Sequence, residues 1–217
     1  MSDIRYLPIY SLQQRIAHWL IAAGFAFEWL SAWLVGPSDV DPLVWSDWHL
    51  MVGQALLLVL AWRLLLFFLP GSGHWRFFVP TREQRHIVRD TLRFYASLGK
   101  APLPDWYAFN PVWQPIYLLM ILLAVVTVIS GFFHSGLPFA GELSAADLHA
   151  GASSLLLWLA LAHVAVAVWH DARGRGAQIS GMFNGHKYFH IGDPQGKTEP
   201  AENSVRLDSL TGKATDK

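Results

Sequence analysis

The stretch Leu148–Trp169, LHAGASSLLLWLALAHVAVAVW, decides how the rest of the chain is read. At ~1.5 Å per residue it is long enough to cross ~30 Å of hydrocarbon, and no Asp, Glu, Lys or Arg interrupts it. Yet it carries His149 and His163. The two are fourteen residues apart, two heptads, which at ~100° per residue returns to nearly the same helix face ~21 Å further along. An ionisable residue inside a membrane span is costly to keep, so each is a functional hypothesis by default. This helix therefore aims two imidazoles into a bundle at two depths.

Three more stretches have the same character, at about Ile16–Gly36, Trp48–Leu69 and Val112–Phe133. The chain has 217 residues, enough for one compact unit or at most two. Apolar residues make up 53% and charged ones 15%, against ~25% charged in an ordinary soluble domain, which excludes a disordered or water-soluble chain. Eleven Trp fit rings lining two membrane interfaces. There is no Cys, which excludes disulfides, protein-bound iron–sulfur clusters, thiolate zinc sites and covalent haem attachment. Arg5 and Arg15 before the first stretch suggest a signal peptide. Its apolar core is too long for one, it contains His18 and Glu28, and no small-residue cleavage site follows, so it reads as a retained helix. The expectation is an all-α membrane protein, a four-helix transmembrane bundle over residues 1–191 with a flexible cytoplasmic tail over 192–217.

Charge sets the orientation. The connector 37–47 holds Asp39, Asp41 and Asp47, and the connector 134–147 holds Glu142 and Asp147, with no Lys or Arg in either. Arg5 and Arg15 open the chain, Arg76 to Lys100 crowd the middle connector, and Arg173, Arg175 and Lys187 follow the last span. The positive-inside rule then puts both termini and the middle connector in the cytoplasm of a bacterial inner membrane, in agreement with four crossings. Within the middle connector, Thr81 and Gln84 form a capping box and Gly99 stands where a helix C-cap belongs. Arg82, Arg85, Arg89 and Arg93 recur between them at helical spacing, which predicts a short amphipathic helix on the inner surface. Its basic face suits anionic headgroups or a cytoplasmic partner.

Two histidines on other helices match the depths of the pair on the last one. His49, near the outer start of the second span, is level with His149; His18, near the inner start of the first, lies in the half of the bilayer that holds His163. Two His from facing helices in a chain without Cys form the natural axial pair for a b-type haem. The pairing implies two haems stacked across the membrane. Gly24, Gly53 and Gly151 are available where a porphyrin needs the backbone to recede, although Gly is common in membrane helices.

These residues resemble a known family. Arg15-Ile16-Ala17-His18-Trp19, His49, and His149 with His163 are similar to the diheme cytochrome b subunits that anchor periplasmic nickel–iron hydrogenases, formate dehydrogenases and thiosulfate reductases. The stretch RFFVPTREQRHIVRDTLRFYASLGKAPLPDWYAFNPVWQPIY (76–117) resembles the hydrogenase branch, and ISGMFNGHKYF (179–189) its cytoplasmic tail. The resemblance implies that His49 and His149 hold the outer haem and His18 and His163 the inner one. It also implies a quinone site beside the inner haem, contacted by His163 and Asn110. Formate dehydrogenase subunits have a glycine shortly after that Asn, whereas Pro111, Val112 and Trp113 follow here.

Other polar residues in the spans admit two readings. Glu28, near mid-bilayer, is either hydrogen-bonded to a neighbouring helix or part of proton delivery. Arg63 either snorkels to the inner interface or pairs with a haem propionate. His134 and His170 read as interfacial polar residues. His74, His86, His186 and His190 fall in cytoplasmic segments, the last two without a strong zinc spacing. Phosphate loops, nucleophile elbows and HExxH are absent, and basic residues confined to membrane-proximal segments disfavour nucleic acid.

The expected function is electron transfer. An iron–sulfur subunit facing the periplasm, that of a nickel–iron hydrogenase, delivers electrons through two haems to the quinone pool. A free-standing cytochrome b working from quinol shares every ligand, and a non-haem proton-coupled transporter or anchor would use the same His as relays. The first differs by purifying alone and active, the second by being colourless.

Overall fold

The computed structural model describes residues 3–35, 42–104, 106, 108–133, 144–173 and 178–191. Asp39, Asp41, His134, Glu142 and the polar tail 192–217 lie outside the described residues. Four long helices dominate: Leu12–Val35 (α1), Pro42–Phe68 (α2), Gln114–Phe132 (α4) and Ala145–Ala172 (α5). Between α2 and α4 lies the short helix Arg85–Ala96 (α3), and after α5 comes Gln178–Asn184 (α6). Two strands, Asp3–Pro8 (β1) and His186–Ile191 (β2), flank the helices at the two ends of the chain.

Helices α2, α4 and α5 are long and apolar enough to cross a membrane, with mean hydropathies of 2.1, 2.4 and 1.9. Helix α1 has the length, but Gln13, Gln14, Arg15, His18 and Glu28 make it more polar, and it falls outside that group. The apolar surface points outward as well as inward. Leu58 is 72% and Trp158 70% exposed, as suits helices solvated by lipid rather than water. Helices α1, α2 and α5 start before the apolar windows seen in the sequence, at Leu12, Pro42 and Ala145, whereas α4 is shorter than its window. A polar capping turn opens α5: Ser144 Oγ accepts the Asp147 amide at 3.1 Å, and Asp147 Oδ2 accepts the Ser144 amide at 3.1 Å.

All four long helices contribute to one apolar core, with Phe25 from α1, Leu56 and Leu60 from α2, Ala124 and Val128 from α4, and Leu156 from α5. Gly24 is where α1 and α2 meet: a Cβ there would stand 2.5 Å from Leu56 Cδ2. That glycine serves helix packing.

The remaining elements cap the end where α1 begins and α5 finishes. The Thr81 amide donates to Gln84 Oε1 at 3.0 Å, closing the capping box through a single 3-10 turn before α3. Gly99, at φ +80°, donates its amide to the Phe94 carbonyl at 2.9 Å and ends the helix. Phe94, Leu103 and Trp106 form a second small core with Trp169 of α5 packed on it. The sequence did not suggest the strands. β1 and β2 pair antiparallel from Asp3 opposite Ile191 to Pro8 opposite His186. Tyr10 donates its hydroxyl to the Ala108 carbonyl at 3.0 Å, and Lys187 Nζ donates to the Trp106 carbonyl at 3.0 Å, tying both chain ends to the connector.

Candidate haem and quinone sites

The four histidines meet in two pairs. His18 of α1 faces His163 of α5 with ring centres 6.3 Å apart, and His49 of α2 faces His149 of α5 at 6.1 Å. Ring planes are near perpendicular in both, at 80° and 78°. A ring nitrogen lies ~1.1 Å from the ring centre and binds a transition metal at ~2.0 Å, so two imidazoles sharing one metal stand ~6 Å apart centre to centre. Both pairs meet that requirement. Each pair could supply two imidazole ligands to one haem iron. Protein-only metal sites need three or four, and among the described residues no cluster of three or more His, Asp or Glu gathers.

In the His49–His149 pair one nitrogen of each ring is engaged by a neighbouring group. Glu28 Oε2 lies 2.6 Å from His49 Nδ1, and Ser31 Oγ lies 3.0 Å from the same nitrogen while donating to the Glu28 carbonyl. His149 Nδ1 lies 2.7 Å from the Thr127 carbonyl. With Nδ1–H donated to the carboxylate or the carbonyl, Nε2 of each ring would be left available to a metal, the arrangement metal-bound imidazoles commonly have. Gly131 makes the second contact possible. A Cβ there would lie 3.0 Å from His149 Cε1, tighter than ordinary contact, so glycine leaves the ring room to rest against α4. At Gly53 and Gly151, close in sequence to His49 and His149, a Cβ would meet nothing within 4 Å.

The His18–His163 pair opens on a cavity of about 550 Å³ lined by these two residues together with Gln14, Arg63, Asn110 and Tyr117. Sites for cofactors and small ligands fall in this size range. Arg63 is buried against aromatic rings. It is only 6% exposed, its guanidinium lies over the rings of Phe67 and Phe78 at 4.7 and 5.3 Å, and a long 3.5 Å bond to the Gly73 carbonyl is its one hydrogen bond among the described residues. No carboxylate of the described residues pairs with it. A buried cation of this kind suits an anionic group of a ligand in the cavity.

Asn110 lies on the wall of the same cavity at the entry to α4. Its Oδ1 accepts the Val112 amide at 3.0 Å, and its Nδ2 donates to Tyr95 Oη at 2.9 Å. One amide N–H is left over. Trp113 Nε1 also donates to Tyr95 Oη, at 3.1 Å, so the tyrosine directs its own proton to His170 Nε2 at 3.3 Å. Burial pushes the Tyr95 hydroxyl above its ordinary pKa, partly offset by these donated bonds.

His170 corrects the sequence reading. It is not interfacial: it is 2% exposed, its ring stacks parallel to Tyr95, and Trp106 lies 5.3 Å away centre to centre. Its hydrogen-bond partner Tyr95 lies 75 residues earlier in the chain, which no local pattern reveals. Glu28 resolves toward the hydrogen-bonded alternative, with a histidine of α2 as its partner.

No relative among curated proteins matches the chain. A family model does, that of prokaryotic cytochrome b561, over residues 9–185. This covers most of the chain, including all four paired histidines. The chain belongs to the prokaryotic cytochrome b561 family, as its resemblance to hydrogenase cytochrome b subunits implied.

Proposed function

We propose that this member of the prokaryotic cytochrome b561 family is the membrane-anchoring, diheme subunit of a respiratory oxidoreductase, taking electrons from the periplasmic iron–sulfur subunit of a nickel–iron hydrogenase to the quinone pool. The observation that carries the reading is the pair of imidazole pairs, centre to centre at 6.1 and 6.3 Å, at opposite ends of one bundle. His49 and His149 would hold one b haem and His18 and His163 the other, and bound haem supplies reversible one-electron transfer. Arg63 would pair with a propionate at the inner site. The free amide N–H of Asn110, with His163, would meet a quinone carbonyl. Reducing a quinone to quinol consumes two electrons and two protons, and the protons come from the side on which α3 and the sheet lie.

That side is the cytoplasm in this reading. The basic residues of the middle connector favour it by the positive-inside rule. Strand pairing between β1 and β2 adds support, since two paired strands lie on one side and an even number of crossings between them fits that. In this reading α1 crosses as the fourth helix beside α2, α4 and α5, its polar side chains turned to the bundle.

The test is haem content. Protein purified in mild detergent should carry two b haems per chain, falling to one in His49→Ala and to one in His163→Ala. In membranes with the partner hydrogenase present, hydrogen should reduce both haems and then quinone, and the chain should co-purify with the iron–sulfur subunit. Colourless protein made with ample haem supply would sink the reading in favour of a transporter or anchor; full activity when purified alone would favour a free-standing cytochrome.

A further inference from the structure

The two histidine pairs sit in opposite electrostatic surroundings. At the outer pair, the Glu28 carboxyl accepts from His49 Nδ1 at 2.6 Å, and the Thr127 carbonyl accepts from His149 Nδ1 at 2.7 Å. Glu28 is only 7% exposed, and its Oε1 has no hydrogen-bond partner among the described residues, so no donor there draws its charge away from His49. At the inner pair neither His18 nor His163 has a hydrogen-bond acceptor among the described residues. The ionic group that shares their cavity is Arg63, a cation without a carboxylate partner there.

An acceptor on Nδ1–H makes the opposite nitrogen a stronger electron donor, and a nearby negative charge favours the metal state with the higher positive charge. Both effects stabilise oxidised iron over reduced iron. A buried cation acts in the other sense, and in a low-dielectric interior neither influence is screened as it would be in water.

We propose that Glu28 and Arg63 are positioning residues that set the order of the two haem potentials, so that the His49–His149 haem is the harder to reduce and electrons run downhill from the outer pair to the inner one. This rests on the ligand assignment proposed above. It adds what that assignment lacks, a built-in direction and the residues that create it. Glu28 acts through His49 and touches no substrate; Arg63 acts through charge at the inner cavity.

Potentiometric titration of the purified wild-type protein, following the reduced haem bands, should resolve two midpoints. The lower one should disappear in His49→Ala and the higher one in His163→Ala. Glu28→Gln keeps the shape and a carbonyl acceptor but removes the charge; it should raise the lower midpoint and leave the higher one in place, while Glu28→Asp restores the wild-type value. Arg63→Gln should lower the higher midpoint alone. A general loosening of the bundle would move both midpoints together. The inference is overturned if His49→Ala removes the higher-potential component, or if Glu28→Gln leaves the lower midpoint unmoved. Should Glu28→Gln fail to accumulate, the wild-type order, assigned with either histidine variant that does accumulate, decides the matter. Protein without haem would overturn the ligand assignment and this inference together; two haems in the reverse order would overturn this inference alone.

Discussion

Gly131 and Tyr95 are small details on which the two sites depend. Because the Gly131 position lies within 3.0 Å of the His149 ring, Gly131→Val should force that imidazole away from α4 and break its bond to the Thr127 carbonyl. We expect loss of the outer haem with the inner one retained, read as haem per chain. Tyr95→Phe removes the oxygen that accepts from Asn110 and Trp113. Leaving buried donors unpaired costs about 1–3 kcal/mol each, so thermal unfolding should move down measurably, and a weaker apparent affinity for quinol analogues should accompany it. At this scale the four paired histidines were legible, because ionisable side chains stand out in apolar spans and the separation of 149 from 163 places two on one face. The Glu28 partner was not legible. Its contact depends on the rotation of α1 against α2, which no spacing along either helix reports.

Among the elements, α3 and its caps show how far local signals reach. Thr81, Gln84 and Gly99 lie within one continuous segment, and each acts there as local chemistry requires. Gly99→Ala should destabilise the protein by about 1–2 kcal/mol, since a side chain at φ +80° is strained and the new methyl would also meet Trp169 and Arg173. A thermal shift of the purified variant checks this. The strands were invisible for the opposite reason. β1 is one edge of a two-stranded ribbon whose partner is near the far end of the described chain, and neither strand gains its hydrogen bonds without the other. The start of α5 lies before the apolar window because the window stops at the polar capping turn of Ser144 and Asp147, and the helix begins within that turn.

For the whole molecule, the pairing of β1 with β2 makes membrane topology measurable. Reporters fused before Asp3 and after Ile191 should both be protected from periplasmic reagents, and both should respond in the cytoplasm; opposite responses would require an odd number of crossings. The cap at that end also shapes the pH response. Burial raises the Tyr10 and Tyr95 hydroxyls above the unfolded value of 10.0, so the unfolded chain releases these protons first. Their contribution to stability is complete below pH 10 and falls as pH rises through the folded values. Denaturation in detergent should therefore show a stability loss starting near pH 10, reduced in Tyr95→Phe.

The clasp between the first and last described strands also sets an order of events during synthesis. β1 leaves the ribosome at the start, yet its partner does not exist until α1, α2, α4 and α5 have all been made. Until then the edge of β1 is open, and Tyr10 and the connector meet without the lysine that later joins them. Closing the ribbon thus waits until β2 has been made. Nascent chains arrested before His186 should be cut by cytoplasmic protease in β1, and chains released after Ile191 should resist. Survival of that segment would then report that β2 has been made and paired, independently of whether any haem has been loaded.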